Sequence, residues 1–148
     1  MIRAAPWSLV RRPLYHPQAP LFVEVEPITL HPDTAEAAEA AASAIDDKKG
    51  HDLALLDVSK VIVLTDVFVI ATGTSRRHVR TLAEDIEARL SGLDRTPLRR
   101  EGMEEGSWVL LDFGDIVVHL FDEETRAYYD LERLWSDAPR MAFEAASG

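Results

Sequence analysis

The sequence predicts an α/β (α+β) fold, a single compact domain in which a mixed sheet of about five strands is flanked by helices. Residues 108–121 hold two runs rich in β-branched and aromatic side chains, joined by Gly114-Asp115. Apolar runs at 53–58 and 67–72 have the length of buried strands, and apolar residues recur at helical spacing beside them. A helix between two strands implies a parallel part of the sheet, and the paired runs an antiparallel part.

Composition limits the classes of function. A chain of 148 residues suits one domain with its own core. The absence of cysteine excludes disulfides and thiolate metal ligands and fits a cytoplasmic protein. The net charge of -10 disfavours phosphate-driven binding, so we expect little direct nucleic-acid contact. No window approaches the roughly 18 apolar residues of a membrane span, so we expect no membrane partner.

Residues 1–32 differ from the rest of the chain. They hold six of the eight prolines, and the first twenty residues include arginines but no acidic residue. We interpret this Pro-rich stretch as a disordered tail, in which residues 21–25 could form a short strand, or as a translation start placed too far upstream. The folded domain is predicted to span residues 33–141, followed by a frayed segment, residues 142–148.

Local signals predict the first helix and its bounds. Asp33 followed by Glu36 resembles a capping box, so we expect a helix over residues 34–49. Gly50 is then the predicted stop. The inward face of this helix comprises Ala38, Ala41, Ala42 and Ile45.

After the strands at 53–58 and 67–72, Thr74 or Ser75 is predicted to cap a second helix that ends at Gly92. Residues 97–100 are predicted to form a short edge strand, because proline cannot donate to a central ladder. Short helices are predicted over residues 122–128 and 131–135, with Tyr128, Tyr129 and Trp135 as core anchors.

The segment 108–121 predicts a hairpin with a definite register. Gly114-Asp115 suits a two-residue type II′ turn, which pairs Asp112 with Val117 and Trp108 with Phe121. Because side chains alternate across a strand, one face is wholly apolar and predicts core: Val109, Leu111, Phe113, Ile116, Val118 and Leu120. The other face is mixed, with Trp108, Leu110, Asp112, Val117, His119 and Phe121. Such a face is either covered by another element or offered to a partner, and we favour a partner.

No pattern predicts an active site. Gly73-Thr74-Ser75 could cradle a phosphate between strand and helix, but it lacks the rest of a P-loop or Rossmann motif, and capping explains it. The five histidines form no i, i+4 metal pair, and His78 has no acidic partner to complete a triad with Ser75. We therefore expect no catalytic residue, no metal site and no cofactor. A nucleotide-binding or nucleotidyl-transferring enzyme remains the alternative.

Residues 34–141 also carry a series of short motifs. The first half has Asp57-Val58-Ser59, Thr65-Asp66, Phe68-Val69-Ile70-Ala71-Thr72-Gly73-Thr74-Ser75 and Arg77-His78-Val79. The second half has Pro97-Leu98-Arg99-Arg100-Glu101-Gly102, Gly106-Ser107-Trp108-Val109-Leu110-Leu111-Asp112, Gly114-Asp115-Ile116-Val117-Val118-His119, and Tyr128-Tyr129-Asp130-Leu131-Glu132-Arg133-Leu134-Trp135 with Ala138-Pro139. In this order they resemble the ribosomal silencing factor family (RsfS, also called Iojap).

The resemblance implies a nucleotidyltransferase-like fold without metal-binding carboxylates, and a translation repressor rather than an enzyme. Members of the family bind the large ribosomal subunit through its L-fourteen protein, block association with the small subunit and lower translation when nutrients are scarce. The expected mechanism is steric. A homodimer closed by the mixed face is a further alternative.

By position, the resemblance implies partner contacts at Arg100, Trp108, Leu110, Leu111, Asp112 and Phe113. The mixed face adds His119, which lies near Trp108. Hairpin geometry favours Trp108, Leu110 and Asp112, since the predicted pairing turns Leu111 and Phe113 toward the core. Phe113 stands where many members have tyrosine, so a hydroxyl contact would be missing there.

Overall fold

A six-stranded mixed sheet organises residues 30–143, the part of the chain that the computed structural model describes. The elements in chain order are α1 (Pro32–Asp47), β1 (His51–Asp57), β2 (Val67–Gly73), α2 (Arg76–Ser91), β3 (Arg99–Glu101), β4 (Trp108–Asp112), β5 (Ile116–Asp122), α3 (Glu123–Tyr129), α4 (Leu131–Leu134) and β6 (Arg140–Met141). The strand predicted at 21–25, most of the predicted tail and the last five residues of the predicted frayed end lie outside the described residues.

The strand order is β3-β4-β5-β2-β1-β6, with β2 and β5 parallel at the centre and every other neighbouring pair antiparallel. This confirms the predicted mixed sheet. The sheet has one strand more than predicted, because Arg140 and Met141 pair with Leu56 and Leu55 of β1. A two-residue strand has no periodicity that a sequence could reveal.

The β4–β5 hairpin has the predicted register. The pairing of the two strands runs without a slip from Trp108 opposite Phe121 to Asp112 opposite Val117. The Phe113 N–H donates to the Ile116 carbonyl at 2.9 Å and closes the turn. Gly114 supplies the positive φ of +93° that the turn requires and that few L side chains adopt.

The main core lies between the sheet and the helices α1 and α2. All six residues of the predicted apolar face are buried there, together with Leu82 and Ile86 of α2. The predicted inward residues of α1 are likewise buried, and their small side chains let the helix lie close to the sheet. Leu30 and Phe143 pack against this core from outside the predicted domain bounds.

Two details of α1 differ from prediction. His31, not Asp33, caps the helix, because its Nδ1 accepts from the Asp33 N–H at 3.1 Å. The helix ends at Asp47, and Lys49 takes the left-handed conformation, with φ of 64°, just before Gly50. Local hydrogen bonding at the actual start therefore overrides the capping-box pattern. Ser75 caps α2 as one of the two predicted residues.

The second face of the sheet is covered less completely. A smaller apolar cluster, built on Phe68, Ile70 and Phe121, lies under Leu131 and Trp135. Glu132 of α4 binds both Arg126 of α3 and Arg140 of β6, which ties the C-terminal segment together. This cover lies over β5, β2 and β1, so the β3–β4 edge keeps part of its mixed face open to solvent.

Candidate functional site

The partly open face of β4 is the candidate site. Trp108, Leu110 and Asp112 alternate with the buried Val109 and Leu111, and each is partly exposed. Tyr129 of α3 contacts the Trp108 ring, with 4.7 Å between the ring centroids, and the adjacent Tyr128 contacts Tyr129. We call these five residues the β4 surface: Trp108, Leu110, Asp112, Tyr128 and Tyr129.

The indole of Trp108 is held from several sides. Its Nε1 lies 3.2 Å from His119 Nδ1 and donates a hydrogen bond to it. The ring centroid of Phe121, its cross-strand partner, is 5.0 Å away. Tyr129 closes a further side, so the indole is fixed while part of it still faces solvent. A rigid, partly exposed Trp is the kind of side chain that anchors protein interfaces.

His119 lies beneath this surface rather than on it. Only 6% of the residue is exposed, and burial lowers the pKa of its imidazole to about 4, so the ring is neutral at pH 7. Phe68 packs against it at 4.8 Å between ring centroids in a T-shaped arrangement. The prediction that His119 could contact a partner needs correction, because Phe68, Trp108 and Phe121 enclose its side chain.

Leu111 and Phe113 also need correction as contact residues. Leu111 is 0% exposed and Phe113 is 6% exposed, and both belong to the main core beneath α1 and α2. Alternation along β4 puts them on the face opposite Trp108, as the predicted pairing required. Their side chains are not available to a partner in this structure.

Arg100 borders the site but points to the other face. It pairs opposite Leu111, and side chains that face each other across neighbouring strands share a face of the sheet. Its Nε lies 3.2 Å from Glu87 Oε1 of α2. Arg99 and Glu101, opposite Asp112 and Leu110, share the face of Trp108 instead. A partner can therefore reach both Arg100 and Trp108 only by docking over the edge strand β3.

Asp112 stabilises the hairpin turn, in addition to any contact that it makes with a partner. Its Oδ1 accepts from the Gly114 N–H at 2.8 Å and so supports the hairpin turn. Its Oδ2 lies 3.9 Å from an Arg99 nitrogen, an ion pair of ordinary surface strength. The carboxylate thus keeps acceptor capacity at the end of the β4 surface that lies furthest from Trp108.

The two tyrosines were not predicted as surface residues. Trp135 packs on Phe68 at 5.7 Å between ring centroids, as expected for a core anchor. Tyr128 and Tyr129, however, are 80% and 49% exposed. No residue of the seven-residue α3 is buried, so this helix lies on the surface of the domain. The available signal was its composition, because Glu123, Glu124, Thr125 and Arg126 give the helix no apolar stripe for the tyrosines to extend.

The polar groups of the strand–helix junction after Gly73 form hydrogen bonds with one another. Ser75 Oγ accepts from the His78 N–H, and the Thr74 N–H donates to His78 Nδ1 at 2.9 Å.

Within residues 30–143, no group of three or more His, Asp or Glu side chains is placed to hold a metal ion. No helix in this same range is long and apolar enough to cross a membrane.

The fold and the β4 surface define a small mixed-sheet α/β domain, and comparison with known proteins identifies its class. The family described as "Ribosomal silencing factor during starvation" (RsfS) matches residues 31–147. The chain therefore belongs to the ribosomal silencing factor family, which confirms the resemblance predicted from its motifs.

Individual relatives agree with this assignment. The ribosomal silencing factor RsfS of Halalkalibacterium halodurans is 39% identical over 111 residues, covering 74% of this chain and 93% of the relative. The ribosomal silencing factor RsfS of Bacillus subtilis is 40% identical over 99 residues, which cover 67% of this chain and 84% of that relative. A crystal structure of a Chromobacterium violaceum protein superposes with a TM-score of 0.67 at 40% identity, covering 76% of this chain and 94% of that one. The matched part of this chain thus covers most of the length of each of these proteins.

Proposed function

We propose that this chain represses translation by binding the large ribosomal subunit through its L-fourteen protein and so blocking association with the small subunit. Family membership supports a role in ribosome regulation. A mouse relative, 32% identical over 97 residues and covering 42% of that protein, is named for mitochondrial assembly of the large ribosomal subunit. The observation that carries the proposal is the partly exposed Trp108, held rigid beside two exposed tyrosines.

The chemistry of the β4 surface suits a protein partner. Tyr and Trp are enriched in the centres of interfaces, because they bury a large area with few rotatable bonds. Leu110 adds an aliphatic contact between Trp108 and Asp112. Arg99 and Glu101 on the edge strand provide a charged rim. This combination of aromatic centre and polar rim is typical of a protein docking site.

Charge supports the encounter with a ribosomal protein. The chain has a net charge of -10, which attracts basic surfaces and repels exposed phosphate. Complementary charge raises the association rate and selects partners more than it strengthens the final complex. The proposed action is steric: the bound domain occupies the subunit interface in the cytoplasm, and no catalytic group takes part.

Co-sedimentation with isolated large subunits in a sucrose gradient tests the proposal. The wild-type chain should migrate with the subunits, and Trp108→Ala should lose about tenfold or more in affinity, as expected for an aromatic anchor. Val63→Ala is the control, because Val63 is 99% exposed in the β1–β2 loop, and this loop lies at the end of the strands opposite to Trp108. Failure of the wild type to migrate with large subunits would contradict the proposal.

Purified L-fourteen protein and small subunits complete the test. The wild-type chain should bind isolated L-fourteen and should reduce the light scattering of rejoining subunits, while Trp108→Ala should do neither at the same concentration. If subunit joining is unaffected by a chain that binds, blocking is wrong although binding stands. The same surface could close a homodimer that dissociates on the ribosome, and a concentration-dependent mass in light scattering would reveal it.

The enzyme alternative lacks comparable support. Ser75 and Thr74, the residues that motivated it, are engaged in capping α2 and in a hydrogen bond with His78. Titration calorimetry with magnesium nucleotides checks this interpretation. Heat from a common nucleotide at micromolar affinity would reopen the alternative.

A further inference from the structure

The hydrogen-bonding donor of Trp108 is already used inside the protein. The indole Nε1–H donates to His119 Nδ1 at 3.2 Å. Because His119 is buried and neutral, its Nδ1 is a bare acceptor and its proton resides on Nε2. A partner that contacts the indole therefore meets ring carbon atoms and not a free N–H donor.

The other nitrogen of His119 makes this arrangement unusual. Its Nε2 is buried and has no hydrogen-bond partner among residues 30–143. Leaving a buried donor unsatisfied is unfavourable, and the surrounding cluster of Phe68, Phe121 and Val117 would accept a leucine without that cost. The hydrogen bond from the Trp108 N–H is the polar contact that offsets this cost, and a leucine would leave that N–H without its acceptor.

We propose that His119 is a positioning residue, which engages the Trp108 N–H so that the β4 surface presents only the apolar edge of the indole to an aliphatic or aromatic side chain of the partner. This rests on the proposed function in one respect, namely that the partner docks on Trp108. The hydrogen bond that fixes the indole exists in the free chain and is testable by itself.

Four variants of the full chain separate the steps. His119→Leu removes the acceptor but keeps the volume apolar. His119→Asn restores an acceptor, since the Asn oxygen occupies about the position of imidazole Nδ1. Trp108→Phe keeps an apolar ring without the N–H, and the double variant Trp108→Phe with His119→Leu completes a cycle. The two His119 single variants are measured by indole ¹H–¹⁵N NMR, and all four variants are measured by affinity for isolated large subunits.

The NMR experiment reports positioning without any partner. The Trp108 indole signal, assigned by its loss in Trp108→Phe, should shift upfield and exchange faster with solvent in His119→Leu, and His119→Asn should reverse both changes. An indole signal that is the same in His119→Leu as in wild type overturns the proposed positioning.

The binding experiment reports the chemistry of the contact. His119→Leu should weaken binding about tenfold, His119→Asn should recover most of it, and Trp108→Phe should retain far more affinity than Trp108→Ala. In the Trp108→Phe background, His119→Leu should add nothing. If Trp108→Phe binds as poorly as Trp108→Ala, or if His119→Leu binds like wild type, the inference is wrong. If the wild type itself fails to bind large subunits, the proposed function fails while the NMR result still decides the positioning.

Discussion

Substitution of two neighbouring leucines of β4 distinguishes a core residue from a residue of the proposed partner contact. Leu111 is 0% exposed within the main core, whereas Leu110 lies on the opposite face and is partly exposed. Leu111→Ala removes three carbon atoms, whose transfer from water is worth about 2.4 kcal/mol, and the residual cavity raises the loss of unfolding free energy to about 3 kcal/mol. Leu110→Ala should cost about 1 kcal/mol or less in stability.

The expected effects on binding are the reverse. Leu110→Ala should weaken co-sedimentation with large subunits about fivefold or more, because it removes an apolar contact beside Trp108. Leu111→Ala should bind like wild type wherever it is folded, which a domain with about 5–15 kcal/mol of stability permits at low temperature. Urea unfolding followed by circular dichroism gives the stabilities, and gradients run on the folded proteins give the affinities.

The result that refutes this reasoning is specific. If Leu111→Ala keeps wild-type stability, or if it loses binding while fully folded, then Leu111 is a contact residue and the faces of β4 have been assigned wrongly. Equal effects of both variants on stability would lead to the same conclusion. Because both variants replace leucine by alanine, the type of side chain removed cannot explain a difference between them.

Two further predictions concern the polar links around the sheet. Burial raises the pKa of the Asp115 carboxyl, but hydrogen bonds from Arg95 and Thr34 and the Arg95 charge outweigh it, so the pKa lies below its ordinary value of 3.8. Its contribution to stability is therefore complete above that value and is lost as the pH falls through the folded-state pKa, so the difference in urea midpoint between wild type and Asp115→Asn should shrink from pH 7 to pH 3. A difference that grows on acidification would contradict the sign. Glu132→Ala should cost about 2–3 kcal/mol in urea unfolding, since it leaves the mostly buried Arg126 guanidinium without its carboxylate. The exposed Glu124→Ala is its control, and equal losses would refute the network.

The strongest agreement between sequence and structure is the β4–β5 hairpin. Its turn residues, its register and the identity of its core face follow from contacts between residues fewer than fourteen positions apart. Such local contacts are encoded by alternation and turn chemistry alone. Alternation also turned Leu111 and Phe113 inward, against their place in the contact set that the family resemblance implied.

Which part of the mixed face is covered depends on residues that are distant along the chain. Phe68 of β2 and Trp135 after α4 cover the part near His119, and they reach it only because β2 pairs with β5 and the C-terminal segment returns across the sheet. No periodicity within residues 108–121 reports on that cover. The orientation of Arg100 likewise depends on how β3 pairs with β4.

The sequence by itself determined that this chain is a mixed α/β domain of the ribosomal silencing family, with a hairpin that has one apolar and one mixed face. Only the tertiary structure decided which part of the mixed face is open: Trp108, Leu110 and Asp112 remain accessible, while His119 is enclosed. The physical reason is that alternation fixes the side of the sheet on which a side chain lies, but exposure depends on what distant segments pack there.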